Sequence, residues 1–308
     1  FGEKHPEALS PIHDTYPLSS DSPKSIIPYM GGDQNYIRPI MSKGLNTYQM
    51  GSNAYAKPSV ALIILRESVM GKELFDYAFK EYANRWKFKH PTPEDFFRTM
   101  EDASAFDLDW FWRGWFYTTD WVDIGIKDVK EYYVSSKPNK TARNYTERYG
   151  MSIEDLPPLV YLVEESSEEF DEKLKKGTLL ENSPTLKEYL MDNFSEEERK
   201  KIKKPKYFYN ITFEKPGGLV MPIIIEFTFE DGTKELQRLP AEIWRKDNNN
   251  VTKVFFFQKK VASVSLDPHL ETADTEVYNN NYPRKLVPTR FEQHKKPYWR
   301  THGGGSNP

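Results

Sequence analysis

Residue types that carry acid–base, nucleophilic or metal chemistry are sparse in this chain. Six histidines are present: His5, His13, His90, His269, His294 and His302. None stands four residues from another, the spacing that puts two imidazoles on one helix face for a metal. The sequence H-E-x-x-H does not occur. With zero cysteines there is no thiolate ligand, disulfide framework or thiol nucleophile. The G-x-S-x-G elbow, the phosphate-binding loop and the dinucleotide glycine fingerprint are all missing. N-x-S/T triplets at Asn139, Asn144, Asn193, Asn210 and Asn250 are near what chance gives in an Asn-rich chain. What stands out instead is a run of aromatic and apolar residues between Gly51 and Asp123.

Any chemistry would have to be positioned by elements that the rest of the sequence outlines. At 308 residues the chain suits two or three domains. Forty-three basic against 46 acidic residues leave a formal charge of −3. No basic block points to nucleic acid and no acidic excess to a disordered tail. The 22 prolines and 15% aromatics fit a loop-rich globular protein. No apolar run reaches the ~18 residues of a membrane-spanning helix. The opening FGEKHPEALSPIH lacks the charged and apolar regions of a signal peptide.

Residues 1–57 read as an irregular segment, with turn signals at SSDSPKS and MGGDQ and no core pattern. Residues 58–121 read as helical. Pro58 is placed as a first helical residue, followed by a buried helix with Val60, Leu62, Ile63, Ile64 and Leu65. Leu74, Phe75, Ala78, Phe79 and Tyr82 mark one face of an amphipathic helix. Thr92, Pro93 and Asp95 form a helix start, and Asp107 is read as the cap of a last helix carrying Phe111, Trp112, Trp115 and Phe116. Helical spacing accounts for these aromatics as core packing. From Val122 the period becomes that of strands. A charged insertion over about 135–205 reads as solvated surface with short helices. Strands then follow at Tyr207–Phe213, Leu219–Phe229, Glu235–Leu239, Val251–Phe257 and Ala262–Leu266. Asn248–Asn250 is read as a hairpin loop and 279–308 as an extended or disordered tail. Alternation and turn spacing over 122–278 predict an antiparallel β-sandwich. The fold class expected is α+β.

The aromatic run contains an ordered series of short motifs: Tyr55-Ala56-Lys57, Leu65-Arg66 with Gly71 and Phe75, Tyr82 with Trp86-Lys87-Phe88-Lys89, Pro91-Thr92 with Asp95-Phe96, and Asp107-Leu108 with Trp110-Phe111 and Trp115. Over some seventy residues this series resembles the segment that follows the zinc site in M1-family (gluzincin) aminopeptidases. Pro216–Pro222, Asp231-Gly232 and Leu266-Asp267-Pro268 resemble the β-sandwich appended to those catalytic domains. The style is closest to secreted M1 peptidases of Bacteroidota.

The resemblance implies the end of a thermolysin-like helical catalytic domain followed by the sandwich. It implies that Tyr55, by position the tyrosine of the family's Tyr-x-Lys-Gly element, donates a hydrogen bond to the oxyanion of the tetrahedral intermediate. Pro58 stands where the family carries glycine, and Lys57 is expected to support the local fold. The implied cofactor is zinc, with its ligands outside this chain, so the chain alone is expected to be inactive. Implied partners are a peptide substrate and either an N-terminal portion of the same enzyme or a partner subunit, with no nucleic acid and no membrane span. The implied location is periplasmic, extracellular or at the cell surface. The competing reading is a non-catalytic M1-like scaffold or interaction subunit.

Overall fold

The computed structural model describes residues 23–135, 137–155, 161–172, 184–193, 195–201 and 207–284. The segment 1–22, most of the charged insertion's middle and the stretch 285–308 therefore lie outside the described residues, as do His5, His13, His294 and His302.

The chain enters through a single 3₁₀ turn, Pro23–Ile26, and a one-turn helix α1, Ile27–Met30. Sequence period gives no hint of a core here, yet Ile26, Tyr29, Met30 and Ile37 are buried in the main hydrophobic cluster. The reason is spacing over turns and loops, which no fixed period describes. Helix α2 spans Lys57–Ile64 and α3 Lys72–Trp86. Between them Leu65–Val69 widens into a π-type turn. Gly71, at φ +82°, then takes a backbone conformation closed to most side chains and redirects the chain. Arg66 clamps this corner, its guanidinium donating to both carboxylate oxygens of Asp76 at 2.7 and 2.8 Å.

Helix α4, Pro93–Ser104, begins at the expected capping box: Thr92 and Asp95 each accept from the other's backbone N–H. Helix α5, Asp109–Tyr117, starts differently from the sequence expectation. Leu108 occupies the cap position without a side-chain bond, while Asp107 accepts from the N–H of Asp109 and pairs with Arg245. Glu101 takes the N–H of Leu108, so a neighbouring helix supplies the missing acceptor. Aromatic rings lock α3, α4 and α5 together, with Tyr82 edge-on to Phe96 at 4.8 Å and Phe97 stacked on Trp112 at 4.6 Å.

Two four-stranded antiparallel sheets follow. Strand β1 is Gly125–Ser135. After helix α6, Lys140–Tyr149, strand β2 covers Tyr161–Glu164. Short helices α7, Pro184–Asn193, and α8, Glu196–Lys201, precede β3, Tyr207–Glu214, and β4, Ile223–Phe229. Strands β5, Lys234–Leu239, β6, Asn250–Phe257, β7, Val261–Leu266, and β8, Asn281–Tyr282, complete the set. The sheets have the strand orders β2-β1-β3-β6 and β5-β4-β7-β8, and the fold is thus α+β, with mixed helices and antiparallel sheets. Alternation fixes which side chains turn inward. Tyr209, Ile211 and Phe213 of β3 and Val251, Phe255 and Phe257 of β6 are buried, with half-buried or exposed residues between them. The two sheets meet face to face where the Phe227 ring lies 4.9 Å from Phe255 and 4.6 Å from Phe257.

Three expectations are revised by pairing that only the folded chain reveals. The charged insertion supplies an edge strand, because β2 pairs with β1 from Tyr132↔Glu164 to Ser135↔Tyr161. Asn248–Asn250 is not a hairpin loop: β5 and β6 belong to different sheets, and the chain crosses between them through the 3₁₀ turn Ala241–Arg245. Asn279 and Asn280 are buried, and Asn281–Tyr282 pair with β7, so 279–282 is tied into the second sheet.

A buried polar network anchors that return. Asn279 donates to Asp123 at 2.8 Å, and Asn280 to Asp274 at 3.1 Å. Burial pushes the Asp274 carboxyl up to about 7, against the hydrogen bonds from Glu276, Asn280 and Ile124 that favour its charge. A carboxyl raised on folding binds its proton more tightly in the native state. Its contribution to stability is therefore complete below the unfolded value of 3.8 and is lost as pH rises to about 7. Urea melts of the wild type and of Asp274→Asn between these limits should diverge. The wild type should show an extra fall in stability with rising pH, on the order of a few kcal/mol, and the variant should lack it. Parallel curves would contradict this.

Candidate functional site

Tyr55 lies on an irregular helical turn whose shape follows from the sequence. Pro58 was expected to open the helix, but the helical path begins earlier, with Gly51–Ala56 wound as a π-type turn leading into α2. Proline has no N–H, and its ring collides with the carbonyl four residues back in an α-helix. Widening the turn relieves this: the N–H of Lys57 bonds the carbonyl of Ser52, five residues back.

Two inward-facing side chains hold the turn. Asn53 is buried and donates to the Tyr29 hydroxyl at 3.0 Å and to the Arg38 carbonyl at 2.6 Å. Lys57, four residues later on the same face, has no exposed surface and reaches the Thr118 carbonyl at 3.4 Å. Tyr55 sits between them in sequence and so points the opposite way. It is 74% exposed. Its hydroxyl has no hydrogen-bond partner among the described residues. The chain leading to it presents further exposed apolar side chains, Leu45, Tyr48 and Met50.

The Lys57 ammonium is pushed down to about 8 by burial, with the nearby Asp120 charge opposing the shift. Lys215 is placed similarly. It is buried, donates to the Gly218 carbonyl at 2.8 Å and lies over the Trp244 ring at 5.8 Å. Burial lowers its pKa too, and Asp120 again works against the shift. Asp120 therefore faces one lysine from the helices and one from the sandwich. Gly218, at φ +91°, lets the Pro216–Gly218 turn come close: a methyl group there would meet the Asp120 carboxyl carbon at 2.8 Å. Sequence reasoning gave Lys57 a supporting role and missed Lys215 and Asp120. Their only sequence signal is the Lys-Pro-Gly-Gly turn.

The described histidines, His90 and His269, are both exposed loop residues. Among the described residues no group of three His, Cys, Asp or Glu side chains could hold a metal ion, so the described residues alone supply no zinc site. No described helix is long and apolar enough to cross a membrane. What this region can offer chemically is an exposed phenol hydroxyl on a braced helical turn, a hydrogen-bond donor for a group brought to it from outside. Comparison with models of known protein families and with curated proteins finds no match to this chain.

Proposed function

We propose that these residues are the C-terminal part of an M1-like zinc aminopeptidase, which hydrolyses N-terminal peptide bonds once the zinc-binding part is present. The ordered motifs from Tyr55 to Trp115 support this reading. The observation that carries it furthest is the exposed Tyr55 hydroxyl, without a hydrogen-bond partner among the described residues, on a turn held from behind by Asn53 and Lys57. In this reading Tyr55 donates to the oxyanion that forms as the peptide carbonyl is attacked. Zinc and its ligands belong to polypeptide outside these 308 residues, and no role for the metal is assigned to any residue here. A periplasmic or extracellular location goes with the same proposal.

The second reading is a non-catalytic scaffold. The exposed apolar side chains Leu45, Tyr48 and Met50 favour it, because such a surface also suits a protein partner. Intact-mass measurement of the natural protein, with an aminoacyl-anilide assay, separates the two. The enzyme reading expects a mass well above 36.2 kDa and chelator-sensitive release of the N-terminal residue. A natural protein of 36.2 kDa without such activity would sink it in favour of the scaffold.

A further inference from the structure

A cleft runs along the junction of α5 with the crossover between the two sheets. One cavity of about 330 Å³ is lined by Asp107, Asp109, Trp110, Glu242, Trp244 and Arg245, among others. A second, of about 190 Å³, continues past Trp110 and Glu242 toward Leu239. Trp110 and Glu242 thus line both. The Trp110 indole is held in place by its N–H, which donates to the Asp107 carbonyl at 3.1 Å. It is half-buried, and its ring meets Phe111 edge-on.

Two cations line the cleft, Arg245 and Arg238, and each is held by a carboxylate, Arg238 by Glu271 at 2.8 Å. Asp107 is matched by Arg245 at 2.9 Å, but Asp109 and Glu242 have no ion-pair partner among the described residues. Glu101 and Asp102 lie on the α4 side. The Glu101 carboxyl is raised by burial, against the hydrogen bond from the Leu108 N–H, and further by the nearby charges of Asp109, Asp107 and Asp102. Arg85 offsets Asp102, so the acidic excess falls on the side of Asp109 and Glu242. An aromatic wall with unpaired carboxylates beside it complements a cation. The larger cavity is at the small end for ligand pockets and suits one long side chain rather than a cofactor. A planar guanidinium can stack on an indole while donating in its own plane to carboxylates, which a tetrahedral ammonium cannot do.

We propose that this cleft receives an arginine side chain of a partner polypeptide, its guanidinium laid on the Trp110 ring and hydrogen-bonded to Asp109 and Glu242. This reading is independent of the aminopeptidase proposal, since it uses neither Tyr55 nor zinc.

The test uses the 308-residue chain and the blocked tripeptide acetyl-Gly-Arg-Gly-amide. Binding is read from the NMR signal of the Trp110 indole N–H, assigned with Trp110→Phe. A saturable shift is expected that weakens as salt is raised. The isosteric citrulline peptide, and the arginine peptide on the Asp109→Asn/Glu242→Gln double variant, should each bind at least tenfold more weakly. Both replaced side chains are exposed, and an unchanged melting curve confirms the variant's fold. Absence of a saturable shift, equal binding of the citrulline peptide, or undiminished binding by a folded double variant would overturn the proposal. A lysine peptide binding as tightly as the arginine peptide would overturn the guanidinium assignment.

Discussion

Tyr55→Phe, introduced into the full-length zinc-loaded enzyme of the proposed function, is expected to lower kcat by about 10²–10³, the usual loss for removing one oxyanion donor. KM should change little, because the hydroxyl bonds the developing oxyanion more strongly than the ground-state carbonyl. Stability should barely move: the ring is 74% exposed and its hydroxyl bonds no described residue. Lys57→Met is the contrast. Lys57 is wholly buried behind the same turn and touches no substrate, so its replacement acts on folding, and activity should follow the folded fraction. Steady-state kinetics on an aminoacyl substrate, with melting curves for both variants, provides the check. A Tyr55→Phe enzyme with near-normal turnover would show that this tyrosine is only an exposed helix residue.

Trp115→Ala should cost about 3–5 kcal/mol, as for other large aromatic truncations in a core, a large share of the roughly 5–15 kcal/mol that holds a domain together. Trp115 has no exposed surface, and its ring lies against Phe111 at 5.9 Å. The preceding residue, Gly114, sits so near Leu219 that a methyl group there would come within 2.8 Å of the Leu219 side chain. Helix α5 is therefore wedged between the other helices and the sandwich, and one hydrophobic cluster runs from Ile26 through Trp115 to Leu266. The loss should appear in both parts at once. Tryptophan fluorescence, dominated by the helices, and far-ultraviolet circular dichroism should show the same lowered urea midpoint. Trp115→Phe should cost far less, because the buried indole N–H that it removes has no acceptor among the described residues. A midpoint shift confined to the fluorescence signal would mean that the two parts unfold separately.

Much of the architecture is legible because local rules determine it. Alternation of period two identified the strands that carry Tyr209, Ile211 and Phe213 and their partners on β6, since a strand half-buried against a core admits few other patterns. Thr92 and Asp95 announced the start of α4 because the capping box closes over four residues. Tyr55 could be singled out only by its place in an ordered series of motifs.

Three-dimensional context decided the rest. Which strands share a sheet depends on long-range pairing, so the Asn248–Asn250 loop looked like a hairpin until β5 and β6 fell into different sheets. A charged segment concealed edge strand β2, because an edge can be polar on its outer face and still pair with a neighbour. Pro58 suggested a helix start, but flanking contacts through Asn53 and Lys57 stabilise a widened turn on its N-terminal side. Lysines at 57 and 215 look like surface residues in any composition-based reading. Only packing brings both beside Asp120, at the contact between helices and sandwich. By itself the sequence determined what short stretches can satisfy alone: period, caps and turns. Tertiary structure decided the burial of polar groups and the pairing of distant strands, because those free energies depend on partners far along the chain.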